Sequence, residues 1–263
     1  MGSERGNLSG LRQAVSGLEQ GFGPAEPEPF VSGAPNLDEP LGGLARGALH
    51  EIYAQAQADA AAASGFATGL ALRAAGERPI LWARQDFVDV ETGWLYAPGL
   101  MEMGLDPDRV ILIRARDTVG VLRAGAEAAR CPALGAVLIE PWGEHKALDL
   151  TATRRLSLAA ARSGVTLFLL RIAARPMPSS ALTRWSVRAR MSSSLEANAP
   201  GLPAFAVTLL RHRAGLPARD WHVEWDRDRR AFNDASPLSR AVVPVPAGRT
   251  VAAAWGGEWR QAG

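Results

Sequence analysis

The sequence predicts an α/β fold in which helices flank a mainly parallel sheet that ends in an antiparallel C-terminal extension. Short apolar runs alternate with longer helix-like segments as far as residue 171, which is the pattern of parallel strands joined by crossover helices. Beyond residue 171, strand-like runs recur, and the last two are joined by a short loop that contains Gly215 and Pro217. A chain of 263 residues with 47% apolar and 21% charged residues can bury a full core.

Each predicted element rests on its local pattern. The strands are short apolar runs, and we expect them near 48–53, 80–83, 110–114, 136–140, 165–171, 186–190, 206–213 and 220–225. The helices are longer segments between these runs, and we expect them near 59–75, 91–103, 117–130 and 148–163. Because helices separate the first five strands, the sheet is expected to be mainly parallel.

The chain divides into a core over residues 30–232 and two arms. The N-terminal arm, residues 1–29, carries four apolar residues at helical spacing ahead of a Pro-rich linker: Leu8, Leu11, Val15 and Leu18. The C-terminal tail, residues 233–263, is rich in Pro and Gly and carries Trp255 and Trp259. Aromatic anchors are enriched at interfaces, so both arms are candidate partner-binding segments. For the N-terminal helix, the alternative is that it packs on its own core.

Composition narrows the class of protein. The single cysteine, Cys131, excludes an internal disulfide, and the four scattered histidines lack ligand spacing, so no metal site is expected. Neither a signal peptide nor a membrane span is recognisable, and we expect a cytoplasmic protein. Of the 29 basic residues one is a lysine, Lys146, and eight arginines lie between residues 150 and 195 without an acidic residue among them.

The turn after the first predicted strand is where α/β folds of this kind bind phosphate, because backbone N–H groups at a helix N-terminus face the ligand. A P-loop there needs glycines for the turn, a lysine for the phosphates and a hydroxyl for magnesium. Residues 54–61 read Ala-Gln-Ala-Gln-Ala-Asp-Ala-Ala and supply none of the three. Asp59 adds a negative charge, which would repel phosphate.

Motifs over about residues 30–230 resemble those of RecA-family recombinases. Residues 31–38 resemble the family's S-x-x-x-x-L-D turn, and residues 41–53 resemble its G-G-L-x-x-G loop and the strand that enters the P-loop. Aligned with that P-loop, the two glycine, the lysine and the hydroxyl positions hold, in order, Ala54, Asp59, Ala60 and Ala61. The resemblance therefore implies a RecA-like core with a degenerate Walker A motif and no bound nucleotide or other cofactor.

Two further strands extend the resemblance. Residues 80–85 resemble the strand that ends in the family's catalytic glutamate, but here Gln85 stands in that place and cannot act as a base. Residues 137–140 resemble the magnesium-coordinating strand, with Glu140 where an aspartate is usual. Without a lysine and a hydroxyl nearby, Glu140 is expected to be a residue retained for the fold. The resemblance thus implies a protein without catalytic residues.

Within this superfamily, the lost P-loop, the Ala- and Arg-rich chain and the Trp-bearing tail most resemble the ImuA family of SOS mutagenesis accessory proteins. That resemblance implies a non-catalytic role in damage-induced translesion synthesis. The implied partners are an ImuB-like inactive Y-family polymerase homologue and an error-prone DNA polymerase III alpha-type subunit. RecA and single-stranded DNA are further candidates, and such a protein would associate with the nucleoid when engaged.

The arginine block holds the candidate DNA-binding residues. Part of it lies where RecA proteins place their second DNA-binding loop, and arginine both clamps phosphate and stacks on bases. The candidates are Arg171, Arg175, Arg184, Trp185 and Arg188. Three other arginines are equally consistent with the solvated face of the helix over 148–163: Arg154, Arg155 and Arg162.

Two other functions remain open at the level of sequence. A relative in the same fold group, the cell-division inhibitor SulA, also lacks a nucleotide site and binds FtsZ, so a SulA-like inhibitor is one alternative. The other is a residual ATP-dependent DNA-binding RecA paralogue, which would have to bind nucleotide without a P-loop.

Overall fold

The computed structural model describes residues 28–192, 199 and 201–235. Its strands are β1 (Leu49–Ala54), β2 (Ile80–Gln85), β3 (Val110–Ala115), β4 (Ala136–Glu140), β5 (Thr166–Arg171), β6 (Thr183–Arg190), β7 (Ala204–His212), β8 (Arg219–Asp226) and β9 (Ala231–Asp234). Its α-helices are α1 (Pro35–Leu41), α2 (Ala60–Ala75), α3 (Asp86–Thr92), α4 (Ala97–Glu102), α5 (Thr118–Ala128) and α6 (Leu150–Ser163). Short 3-10 turns cover Gln57–Asp59 and Pro107–Arg109.

These strands form one sheet in the order β3-β2-β4-β5-β1-β6-β7-β8-β9. Every pairing from β3 to β6 is parallel. The pairings from β6 to β9 are antiparallel. The predicted α/β fold, with its mainly parallel sheet and antiparallel C-terminal extension, is confirmed.

Helices cover the two faces of the sheet differently. One face packs against α2, most of whose residues are buried, and its core includes Phe66, Trp185 and Phe232. The other face, over the parallel strands, packs against α5 and α6. Since α2 is Ala- and Gly-rich, it lies close to the strands beneath it and places the start of the helix directly beyond the end of β1.

The predicted helix near 91–103 is instead two short helices, α3 and α4. Gly93, with a backbone φ of 86°, ends α3, and Pro98 lies in the first turn of α4. A positive φ is unstrained for glycine, and proline is favoured in the first turn of a helix. The two residues therefore break the segment, and residues 93–96 form a connection in which only Leu95 packs against the core.

Strand β9 is an element that the sequence pattern did not predict. It pairs antiparallel with β8, and the predicted boundary between residues 232 and 233 falls inside it. Phe232 is fully buried, and its ring centroid lies 4.7 Å from that of Trp225. The first two residues of the predicted tail, Asn233 and Asp234, therefore belong to the core sheet.

The candidate partner-binding residues of the two arms lie outside the described residues: Leu8, Leu11, Val15, Leu18, Trp255 and Trp259. Within the described part of the chain, no helix has the length and apolar character needed to cross a membrane.

Candidate functional site

The junction between β1 and α2 lies where the sequence placed the degenerate nucleotide loop. Strand β1 ends at Ala54, and α2 begins at Ala60 and continues through Ala61. The Gln55 N–H donates to the Val187 carbonyl at 2.9 Å, which fastens the start of the loop to β6. The geometry of a strand, a short turn and a helix N-terminus is thus present without the residues of a P-loop.

Asp59 fills this junction with its own carboxylate. Its Oδ2 accepts a hydrogen bond from the Ala56 N–H at 3.1 Å, within the loop. Its Oδ1 accepts one from the Ala189 N–H on β6 at 2.9 Å. Backbone N–H groups at such a turn are the donors that an anion would use. Here the Asp59 carboxylate uses one such donor of the turn, the Ala56 N–H, and a second donor on the neighbouring strand β6.

Glu140 ends β4 and is fully buried. Its Oε2 accepts hydrogen bonds from the Trp82 Nε1–H at 2.8 Å and the Arg84 Nε–H at 2.9 Å. Burial raises the pKa of this carboxyl above its ordinary value, while the adjacent Arg84 cation and the Trp82 hydrogen bond favour the ionised form. Glu140 is therefore held by protein donors at the end of β4.

Arg84 is the partner that sequence analysis missed. It is buried on β2 and lies directly opposite Glu140 in the parallel register. Its guanidinium also pairs with Asp89 and donates to the Thr92 hydroxyl and the Gly93 carbonyl, each at 2.8 Å. The arginine therefore places its fixed cation beside Glu140. The available signal was its position one residue before Gln85, near the end of a predicted strand.

The Gln85 side chain is also hydrogen-bonded within the fold. Its Oε1 accepts a hydrogen bond from the Trp142 N–H at 3.0 Å and one from the Thr118 hydroxyl at 3.2 Å. The side chain therefore joins the ends of β2 and β4 to the start of α5. In the described residues, no group of three or more His, Cys, Asp or Glu side chains is arranged to hold a metal ion.

Two of the candidate DNA contacts are buried. Trp185 is 0% exposed on the α2-facing side of β6, where its Nε1–H donates to the Thr183 hydroxyl at 2.7 Å. Arg171 is 1% exposed on the opposite face, with Nη1 3.9 Å from Glu51 Oε1. A strand alternates its side chains between two faces, and both faces are covered here. The two side chains are therefore enclosed in the fold, and their predicted contact with DNA stays a prediction.

Arg184 is also engaged within the fold. Its Nε–H donates to Glu51 Oε2 at 2.9 Å, and the side chain is 12% exposed. The Ser179 hydroxyl donates to the same carboxylate oxygen at 2.7 Å. Buried Glu51 therefore holds two of the arginines that the sequence suggested for DNA.

Arg175 and Arg188 differ from these because their side chains are exposed. Arg175 lies in the connection between β5 and β6, and Arg188 lies on β6. Arg188 borders a groove of about 270 Å³ together with Gln55 and His222. These two arginines keep the accessibility that a phosphate contact needs.

A pocket of about 400 Å³ lies between the first half of α2 and the connection from α3 to α4. Trp94 and Tyr96 lie at this pocket and are 75% and 69% exposed. The Arg114 guanidinium lies 4.9 Å from the centre of the Trp94 ring. Sequence analysis missed these aromatics, although a Gly-Trp-Leu-Tyr run just after an α-helix could have indicated an exposed turn.

Comparison with known proteins gives a similarity that covers part of the chain. No protein-family model matches the chain. The chain is 35% identical over 153 residues to "Protein ImuA" of Caulobacter vibrioides, in the strains NA1000 / CB15N and ATCC 19089 / CB 15. The match covers 54% of this chain and 57% of that protein, so it spans little more than half of either. The chain is therefore similar to ImuA over about half of its length.

Proposed function

We propose that the protein is a non-catalytic accessory factor of damage-induced mutagenesis that bridges other proteins of a translesion-synthesis complex. The similarity to ImuA supports the pathway. The observation that supports a non-catalytic role is that the Asp59 carboxylate lies in the β1–α2 junction and accepts hydrogen bonds from the protein's own backbone. The pairing of Glu140 with Arg84 supports it as well.

The reasoning about nucleotide is electrostatic. A triphosphate at the junction would meet the Asp59 carboxylate at the N-terminus of α2, and like charges at close range repel. A magnesium ion at Glu140 would have to compete with the Arg84 guanidinium, 2.9 Å from the carboxylate. The Asp59 carboxylate already supplies the negative charge that a nucleotide would bring, and the Arg84 guanidinium supplies the positive charge that a metal ion would bring.

A thermal-shift titration with Mg-ATP tests this part. We expect no rise of the melting temperature for the wild-type chain, because a ligand that does not bind the folded state cannot stabilise it. Asp59→Gly is the matched variant, since it removes the competing carboxylate. A concentration-dependent rise in the wild type would contradict the proposal and favour a residual ATP-dependent paralogue.

The proposed partners are an ImuB-like inactive Y-family polymerase homologue and an error-prone DNA polymerase III alpha-type subunit. Exposed Trp94 and Tyr96 support a partner-binding role, because large aromatic side chains are enriched at the centres of protein interfaces. The arm residues predicted from sequence remain additional candidates.

A complementation assay tests the bridging role. A strain that lacks its own ImuA-family gene receives the wild-type gene, a Trp94→Ala/Tyr96→Ala variant or a Leu150→Ala control, whose side chain is 53% exposed on α6. We expect wild type and control to restore ultraviolet-induced mutation, and the double variant to remain at the level of the deletion strain. Wild-type protein that restores no mutagenesis but blocks polymerisation of purified FtsZ would favour the SulA-like alternative instead.

We extend the proposal to direct contact with single-stranded DNA through Arg175 and Arg188, and to association with RecA on that DNA. Fluorescence anisotropy with oligo-dT at about 50 and 200 mM salt tests the contact, because phosphate binding weakens steeply as salt rises. An Arg175→Glu/Arg188→Glu variant should bind more weakly than an Arg123→Glu/Arg154→Glu control, which changes the charge equally at other exposed positions. Equal binding by the two variants would contradict a role of these arginines.

A further inference from the structure

A groove of about 720 Å³ lies between α5 and α6, on the face of the sheet opposite α2. It is separate from the β1–α2 junction and from the Trp94 pocket. Its lining residues are Ala126, Arg130, Pro132, Arg155, Leu158, Ala159, Arg162 and Ser163. Three arginines thus border a floor of small and aliphatic side chains.

The charge of this groove is unbalanced. Its lining contains three guanidinium groups and no carboxylate. Arg130 pairs with Glu127 at 2.9 Å, but both side chains are more than half exposed, so solvent screens the pair. Among the residues that the structure describes, neither Arg155 nor Arg162 has a salt-bridge partner. The groove therefore presents free positive charge.

The arrangement along α6 is regular. Arg155 and Arg162 are seven residues apart on the helix, which places their Cα atoms about 10 Å apart along the axis. Leu158 lies between them and is 49% exposed, although it belongs to the same face. An exposed leucine between two free arginines is a small apolar anchor site with charged ends.

We propose that this groove binds an acidic amphipathic helix of a partner protein, with aliphatic side chains on Leu158 and carboxylates on the arginines. Charge complementarity selects an acidic occupant. The groove lining has no aromatic ring on which a base could stack, and its aliphatic floor gives nothing to a phosphate backbone. The proposal does not depend on the mutagenesis role, because it rests on the charge and lining of the groove alone.

Three fluorescein-labelled helical peptides of about 18 residues, long enough for five turns, test the proposal. All share one leucine face, and their polar faces carry Glu, Gln or Lys. Binding of each to the full chain is followed by anisotropy. The Glu peptide should bind at least about tenfold more tightly than the Gln peptide, and its binding should weaken as salt rises.

Variants locate the binding. Arg155→Glu/Arg162→Glu should weaken the Glu peptide at least about tenfold, because both charges reverse at the ends of the groove. Leu158→Ala should weaken it about threefold to tenfold through lost apolar contact. Arg123→Glu/Arg154→Glu makes the same charge change on α5 and α6 outside the groove lining and should change binding less than about twofold. Exposed positions are used throughout, and unchanged melting temperatures verify that each variant is folded.

Three results would overturn the proposal. One is equal affinity for the Glu and Gln peptides, which removes the charge argument. Another is equal weakening by the groove variant and by its control, which indicates non-specific attraction to a basic surface. The third is oligo-dT binding that the groove variant abolishes while peptide binding persists, which identifies the groove as a nucleic-acid site.

Discussion

Arg84 and Glu140 form a buried ion pair between the adjacent ends of β2 and β4. The Arg84 side chain is 7% exposed and that of Glu140 is 0% exposed. Arg84 also pairs with Asp89, whose other oxygen lies 2.8 Å from Arg114 Nη2. A buried charge is tolerated only when it is paired, so each member of this chain depends on the others.

Replacement of Arg84 should therefore cost much more than its packing alone. We expect Arg84→Met to lower the free energy of unfolding by about 3–5 kcal/mol, because it leaves the buried Glu140 carboxylate without its cation. Urea denaturation followed by circular dichroism measures the change. The double variant Arg84→Met/Glu140→Gln should recover part of the loss, since no buried charge is then stranded on β4. Additive losses would show that the pair is not coupled.

His50 is a second buried polar residue with a defined role. Its Nδ1 lies 2.7 Å from the Thr183 hydroxyl, and its Nε2 lies 2.9 Å from the Ala45 carbonyl. Since the carbonyl can only accept, Nε2 carries the proton and the neutral ring is the form that fits. Burial lowers the pKa of His50 to about 4, although the Ala45 hydrogen bond opposes this.

This pKa predicts a loss of stability in acid. The unfolded chain binds a proton at His50 below about pH 6.5, whereas the folded chain resists protonation until about pH 4. Between these values unfolding takes up a proton, so the free energy of unfolding falls as pH is lowered, by about 3 kcal/mol over the window. Urea denaturation at several pH values measures the slope. His50→Gln should remove about 1.4 kcal/mol per pH unit from it, and an unchanged slope would contradict the assignment.

At the scale of elements, helix α2 contains two glycines that differ in how closely the core packs against them. A Cβ at Gly69 would lie 2.5 Å from Phe232 Cζ and 2.9 Å from Trp225 Cε3. A Cβ at Gly65 would lie 3.3 Å from one edge atom of the Phe205 ring, which is a tight but adjustable contact. Both glycines are in the helix interior, so they differ in packing and not in backbone requirement.

Alanine at these two positions should have opposite effects. Gly69→Ala is expected to destabilise by about 1–3 kcal/mol, because overpacking outweighs the gain in helix propensity. Gly65→Ala should be neutral or stabilising by up to about 1 kcal/mol, since the propensity gain meets little resistance. Thermal and urea denaturation of the two variants measure the difference. Similar values for both would mean that α2 shifts freely on the sheet.

Strand and helix positions were largely predictable because their signals are local. The turn motif at residues 32–38 has a local cause as well, since the Asp38 carboxylate accepts from the Ser32 and Gly33 N–H groups, each at 2.8 Å. The split of α3 from α4 was not predicted, although Gly93 and Pro98 mark it. Strand β9 was missed because its four residues form a short run that only long-range packing stabilises.

The candidate site was predictable in position but not in its contacts. The lack of glycine, lysine and hydroxyl residues was readable from Ala54 to Ala61, whereas the pairing of Arg84 with Glu140 depends on the register of two strands far apart in sequence. Which arginines are exposed depends on the face of the sheet that each side chain occupies. Arg184 and Trp185 are neighbours on β6, yet Arg184 pairs with Glu51 on one face and Trp185 is buried in the core on the other. Residue type alone does not separate a buried arginine from one that meets solvent.

At the scale of the whole molecule, the last strand closes the fold against its beginning. The Phe232 N–H donates to the Ser32 carbonyl at 3.0 Å, and the Asn36 N–H donates to Asp234 Oδ2 at 3.2 Å. β9 thereby joins the segment around α1 to the far edge of the sheet. The described part of the chain is held together by contacts between its two ends, so its stability should depend on where the chain is truncated.

Truncation tests this dependence. A chain that ends at residue 235 keeps β9 and should melt cooperatively, whereas one that ends at residue 230 loses Phe232 from the core. Loss of a buried phenylalanine costs about 3–5 kcal/mol, which is a large fraction of the stability of an ordinary domain. Phe232→Ala in the full chain is the matched control and should reproduce much of the loss. Calorimetry of the three proteins measures it. Equal stability of the 1–230 and 1–235 chains would show that β9 is dispensable and that the core ends before residue 231.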